Sequence, residues 1–158
     1  MAARTRVTGR FVVTAADAES LMVRGVDSAQ VLTVTDPTDF DRWTVFDATL
    51  EHADALGLTM HATSIDHQFM VQIDDQEERP TSRSRSVVTS LDAGASTFLP
   101  RQDAGGTDVI ALADADHVAA RRTMAADVEP MVMRAARLDV SRVELRSAPG
   151  ILSVRYLP

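Results

Sequence analysis

A chain of 158 residues with 45% hydrophobic and 25% charged content is long enough to bury a core and too apolar to be disordered. Its formal net charge of -7 excludes general affinity for nucleic acid or an anionic membrane, because a phosphate surface repels it overall. The absence of cysteine excludes disulfides, thiolate catalysis and cysteine-based metal sites, and all 16 basic residues are arginine, a cation suited to forked contacts with anions. The opening M-A-A-R-T-R-V-T-G-R has no apolar signal core and no run approaches membrane-spanning length. The expectation is a cytoplasmic, single-domain chain (1–158) with neither a membrane nor a nucleic-acid partner.

Residues 4–14 alternate, with Val7, Gly9, Phe11 and Val13 on one face and Arg6, Thr8, Arg10 and Val12 on the other, which predicts a half-buried strand. Thr14, Asp17 and Gly25 bracket residues 15–24 as a short helix docked by Leu21 and Met22. Residues 29–35 predict a strand that Asp36 and Pro37 stop, and residues 36–41 read as a solvated acidic turn.

The stretch 44–74 reads as a strand ending at Asp47, then a helical turn or two carrying Leu50, Ala53 and Leu56. Gly57 breaks this, and two strand segments follow, 58–65 and 69–73. Between those segments a hairpin would let His61 and His67 approach each other. Residues 75–86 predict a loop with Arg79, Arg83 and Arg85 as a basic patch, the last two on one face if a strand begins there. Residues 87–91 predict a short strand and 92–107 an irregular segment whose Ala104-Gly105-Gly106-Thr107 could cradle an anion.

Residues 108–112 form a short apolar run, and Asp114 caps a helix reaching roughly Ala126. After Pro130 the tail alternates. Met131, Met133 and Ala135 share a strand face, with Arg134 and Arg137 on the same strand. Val143 and Leu145 oppose Arg142, Glu144 and Arg146, and Ala148-Pro149-Gly150 turns into a last strand at 151–157. The sum is an α+β architecture with a mainly antiparallel sheet and a few short helices. None of the phosphate-loop, dinucleotide, nucleophile-elbow or His-Glu-x-x-His motifs occurs.

V-F-D-A at 45–48, Leu50, G-L-T-M-H-A-T at 57–63 and F-M-V-Q-I at 69–73 together resemble the middle of a CYTH domain, the triphosphate tunnel family. The opening R-V-T-G-R-F-V-V is similar in spacing to that family's E-x-E-x-K strand, and R-S-R at 83–85 to its R-x-E. The resemblance implies a sheet curled into a tunnel or partly open barrel that grips phosphates with Arg and Lys and a divalent metal with glutamates. Carried over by position, the metal glutamates fall on Arg6 and Thr8 and the lysine on Arg10. The strand arginines fall on His61 and Thr63, the next lysine on Gln72 and the later glutamate on Arg85, while Arg83 and Arg134 or Arg137 keep the cationic type.

The resemblance therefore implies a ligand set of Arg6, Arg10, His61, Gln72, Arg83, Arg85 and Arg137, with no catalytic residue and no metal ligand. It implies a non-catalytic domain binding a small phosphate-containing anion or a protein partner, and no cofactor. The alternatives are a metal-dependent phosphohydrolase using Mg²⁺ or Mn²⁺, and a structural domain that forms a homodimer through an open sheet edge.

Overall fold

The computed structural model describes residues 6–35, 39–113 and 116–158. The expected stop at Asp36-Pro37 and the Asp114 cap lie outside the described residues. By its internal contacts the chain divides into two compact units, 1–71 and 72–158, where the sequence reading treats 1–158 as one domain. The architecture is α+β, with three helices among the described residues and a mixture of antiparallel and parallel strand pairs.

The first unit is all strand: β1 (Arg6–Ala16), β2 (Leu21–Gly25), β3 (Val31–Val34), β4 (Thr44–His52) and β5 (Met60–Met70). In the order β1-β2-β3-β5-β4 they curl and close on themselves as a barrel, all pairs antiparallel except one parallel bridge between Val34 of β3 and Met60 of β5. Period-two alternation sends Phe11 and Val13, Leu21 and Val23, Val34, Phe46, Ala48, Leu50 and Met60 into one apolar interior. Arg6 and Arg10 fall on the opposite face of β1 from Phe11 and Val13, so the interior of this unit is packed hydrocarbon.

Three local expectations change here. The predicted helix at 15–24 is the end of β1, a tight turn and β2. Asp17 accepts from the amides of Glu19 and Ser20, so it closes a turn rather than standing in the first turn of a helix, and Leu21 and Val23 alternate into the core. The predicted helical turn after Asp47 is strand, because Phe46, Ala48 and Leu50 all reach the core with period two while Leu56 is left 80% exposed. His61 and His67 share one continuous strand, β5, with no hairpin between them; register shifts between Asp47 and Ala48 and between Thr49 and Leu50 keep β4 and β5 paired throughout.

The second unit holds β6 (Gln72–Asp75), α1 (Ser82–Val88), β7 (Ser96–Pro100), β8 (Gly106–Ala111), α2 (His117–Ala126), α3 (Glu129–Leu138), β9 (Arg142–Ala148) and β10 (Ile151–Leu157). The sheet order is β6-β9-β10-β8-β7, with β6 parallel to β9 and the rest antiparallel. On one face Val109, Ala148 and Ile151 pack against Val88 at the end of α1, and against Leu91 and Leu99. On the other face α2 docks on β9 and β10, and α3 docks on β9. Arg134 of α3 grips Asp108 of β8 with two hydrogen bonds of 2.7 and 2.9 Å, and its guanidinium lies over the rings of Phe98 and Tyr156.

Here too the local chemistry overrides the strand reading. Thr81 accepts from the Ser84 amide and starts α1 where a loop and a short strand were expected. In the tail, Met131, Val132, Met133, Ala135 and Ala136 are all buried, a spacing that only a helix can turn inward together. Pro130 sits in its first turn and Asp139 ends it in the left-handed region. The irregular segment contains β7, and the β9–β10 hairpin lies where the alternation puts it.

Gly105, with φ +73°, shows what the β7–β8 loop demands: a Cβ there would lie 2.1 Å from the Tyr156 carbonyl oxygen. Gly105→Ala is expected to lower stability by more than about 2 kcal/mol, from the clash added to the left-handed penalty. Gly94→Ala, also left-handed at φ +83° but facing open space, should lose only about 1–2 kcal/mol. Paired thermal melts of the two variants check this, and equal losses would disprove the close approach.

Candidate functional site

In the first unit the outward faces of β1, β4 and β5 carry three of the expected ligand residues. Register places Arg6 opposite Glu51, Thr8 opposite Thr49 and Arg10 opposite Asp47, and then Glu51 opposite His61 and Asp47 opposite His67. Each arginine is answered by the carboxylate across from it. Arg6 donates to Glu51 at 2.6 and 2.9 Å, and Arg10 donates to both Asp47 oxygens at 2.8 and 3.1 Å while lying over the Phe69 ring. Thr8 and Thr49 hydroxyls meet at 3.0 Å between these pairs. The cross-strand ladder brings Arg6, Arg10 and His61 to one face, yet its formal charges cancel rung by rung.

The Arg10 hydrogen bond, reinforced by its charge and that of His67, holds the Asp47 carboxyl below its ordinary value against the opposing effect of burial. A depressed folded pKa contributes stability above the unfolded value of about 3.9 and loses it as pH falls through the folded value. Asp47→Asn should therefore melt below wild type at pH 6, and the gap should close as both are titrated below pH of about 4. A gap that persisted at pH 2 would show that Asp47 acts through something other than its charge.

In the second unit the expected residues scatter. Gln72 lies exposed in β6 opposite Arg142, its amide bonded to the Ser141 carbonyl. Arg83 and Arg85 flank the buried Ser84 on α1, and a helix turns such neighbours to opposite flanks where a strand would have aligned them. Arg137 is exposed in the last turn of α3, on the other side of the sheet from α1, where a cation suits the helix C-terminus.

Two groupings stand beyond that expected set, and a third shares only Arg83 with it. Glu144 of β9, with its side chain 7% exposed, receives Arg142 at 2.8 Å, Arg146 at 3.2 Å and Arg155 at 2.9 Å, and Arg146 also reaches Glu78 at 3.0 Å. On α2, the His117 Nδ1 and the Arg121 guanidinium both meet the Ser147 hydroxyl, at 2.8 and 3.2 Å, and Arg121 pairs with Asp75 at 2.6 Å. The third grouping is a cleft of about 600 Å³ lined by Arg83, Pro100, Arg101, Gln102 and Asp103. R-V-E-L-R already placed Arg142, Glu144 and Arg146 on one strand face; Arg155 and the lining residues Arg101, Gln102 and Asp103 had no local signal, although the adjoining 104–107 read as a possible anion cradle.

A family model matches residues 7–147. The chain belongs to the Family of unknown function (DUF5812). Comparison with curated proteins and with solved structures finds no match. The DUF5812 match runs from β1 into β9 and so takes in the outer ladder of the first unit except Arg6, the cleft, and Glu144 with two of its three arginines. Among the described residues no group of three or more His, Asp or Glu side chains is placed to hold a metal ion.

Of these features the Glu144 cluster bears most on stability. Glu144→Gln keeps the shape but leaves Arg146 and Arg155, 15% and 20% exposed, around an uncharged amide. The expected loss is about 3 kcal/mol, read as a fall in Tm of about 6–12 °C. Arg142→Ala, at a 46% exposed partner, should lose no more than about 1 kcal/mol. Urea melts of the two variants would refute the cluster's importance if both losses were small.

Proposed function

We propose that the chain is a non-catalytic binding protein for a phosphate-containing anion, taken in the cleft at Arg83 and Arg101. The observation that carries this reading is the state of Arg83: exposed on α1, lining the cleft, and without an ion-pair partner among the described residues. Arg6 and Arg10 already meet carboxylates, so their guanidinium groups have less to offer an incoming anion. Arg101 and Gln102 on the same lining add a second guanidinium and an amide, and guanidinium forks match phosphate oxygens. A cleft of about 600 Å³ suits a small molecule. Its one carboxylate, Asp103, is engaged by Arg101 at 3.4 Å, so the lining favours grip over turnover.

The CYTH-like resemblance stays within this proposal through R-S-R at 83–85. A phosphate-binding tunnel would need cations inside a curled sheet, and the interior of the first unit is apolar, so our reading places the ligand in the cleft. A second reading, a partner or homodimer surface, draws on Leu56 and Leu58, which are 80% and 71% exposed between β4 and β5.

Titration with tripolyphosphate, with and without Mg²⁺ or Mn²⁺, separates the readings. At ligand tenfold above Kd, binding should stabilise the protein by about 1.4 kcal/mol and raise Tm by about 3–5 °C. Arg83→Ala should weaken binding by about tenfold or more without changing the unliganded melt. Metal-dependent phosphate release would favour the phosphohydrolase alternative instead. No ligand response, together with a concentration-dependent dimer that Leu56→Ser/Leu58→Ser abolishes, would favour the second reading.

A further inference from the structure

The strand that leads into the cleft has an open edge. β7 is the last strand of its sheet, and among the described residues it pairs only with β8. The Arg101 amide donates to the Gly105 carbonyl at 3.2 Å and the Ala111 amide to the Ala95 carbonyl at 2.9 Å, one step beyond either end of the β7–β8 register. Bonded pairs of an antiparallel ladder recur at every second residue, so Thr97 and Leu99 direct their amides and carbonyls at β8. The amides and carbonyls of Ser96 and Phe98, and the Pro100 carbonyl, point away from the sheet. Ser96 and Pro100 are exposed, and S-T-F-L-P carries no charge that would turn another strand away. Pro100 ends β7 and also begins the cleft lining, which runs on through Arg101, Gln102 and Asp103 and includes Arg83 of α1. The open edge therefore leads directly to the two guanidinium groups.

We propose that the anion held by Arg83 and Arg101 is a phosphorylated side chain, carried by an extended peptide that adds to the β7 edge as a sixth strand of this sheet. The inference rests on the anion-binding reading above and names its ligand. A strand laid along β7 offers acceptors to the Ser96 and Phe98 amides and donors to their carbonyls. It advances about 3.3 Å per residue, so the side chain two or three positions past the residue opposite Phe98 arrives beside Pro100 and Arg101. A phosphoryl group there brings close to two negative charges and three acceptor oxygens to two guanidinium forks, where an aspartate or glutamate brings a single charge. The edge supplies backbone affinity that a free phosphate lacks, and the cleft sets where along the peptide the phosphate must fall.

Fluorescence polarisation tests this with a labelled pool of nine-residue peptides, randomised over uncharged residues around one central phosphoserine. The same pool with serine, and inorganic phosphate as a competitor, are the controls. The phosphorylated pool should bind at least about tenfold more tightly than either. Ser96→Pro removes one outward donor at an edge position that tolerates proline. It should weaken the phosphorylated pool about fivefold and leave inorganic phosphate unchanged, whereas Arg83→Ala should weaken both. Bound phosphopeptide should also slow hydrogen exchange at the Ser96 and Phe98 amides of the wild type, a readout that stands even if the proline variant fails to fold. Exchange at those amides unchanged by saturating phosphopeptide overturns the edge docking; if inorganic phosphate still binds through Arg83, the anion site survives. Equal binding of the serine pool overturns the role of the phosphoryl group. If neither the phosphorylated pool nor inorganic phosphate binds, the anion reading falls as well.

Discussion

Glu144 sits near the middle of a five-stranded sheet with its carboxylate almost out of water. An unpaired carboxylate there would lose several kcal/mol of hydration, and one arginine would recover only part of it. Three guanidinium groups from β9 and β10 surround it. This condition, that a charge leaving water must take its counter-charge with it, recurs through the molecule. Arg10 lies against Asp47 and Phe69, Arg134 against Asp108 between two rings, and Arg121 against Asp75. A chain with 4% aromatic residues and no lysine has few other ways to lay polar side chains across sheet surfaces, and a guanidinium stacks and forks where an ammonium does neither.

The same condition sorts the arginines by what they can still do. A guanidinium held by a carboxylate at 2.6–2.8 Å has already exchanged water for a partner, and an incoming anion must break that pair. Arg83 is on a short helix whose buried side chain is Ser84, and its charge faces solvent and the cleft. In the proposed reading affinity for an anion therefore gathers where packing asks least of the arginine.

Much of the sheet was legible in advance because alternation is a local signal. Val7, Phe11 and Val13 named the inner face of β1, and Val143 and Leu145 opposite Arg142, Glu144 and Arg146 named both faces of β9, with the Ala148-Pro149-Gly150 turn between β9 and β10. Alternation failed where an apolar run fits two periods. Met131, Met133 and Ala135 read as one face of a strand, yet Val132 and Ala136 are buried too, and a helix with Pro130 in its first turn buries all five. The run around Leu50 failed in the opposite direction, because β4 continued into the core where a helical turn was expected. Of the cleft, Arg83 was recognised, although in a presumed loop. Arg101, Gln102 and Asp103 were hidden in a segment whose glycines and alanines looked irregular and which in fact flanks β7 and β8.

By itself the sequence determined the material: arginine as the only fixed cation, a surplus of carboxylates, no thiol, and strands whose alternate residues must face different surroundings. It therefore determined that Arg6 and Arg10 share a face, as do Arg142, Glu144 and Arg146, since side-chain direction follows from the pleat of one strand. The tertiary structure decided which charges cancel. Arg10 and Asp47 are separated by 37 positions and Arg155 and Glu144 by 11, and each pair meets only through strand register. Whether an arginine is neutralised or left facing a cleft depends on a few ångströms across the sheet, a distance that no local pattern encodes.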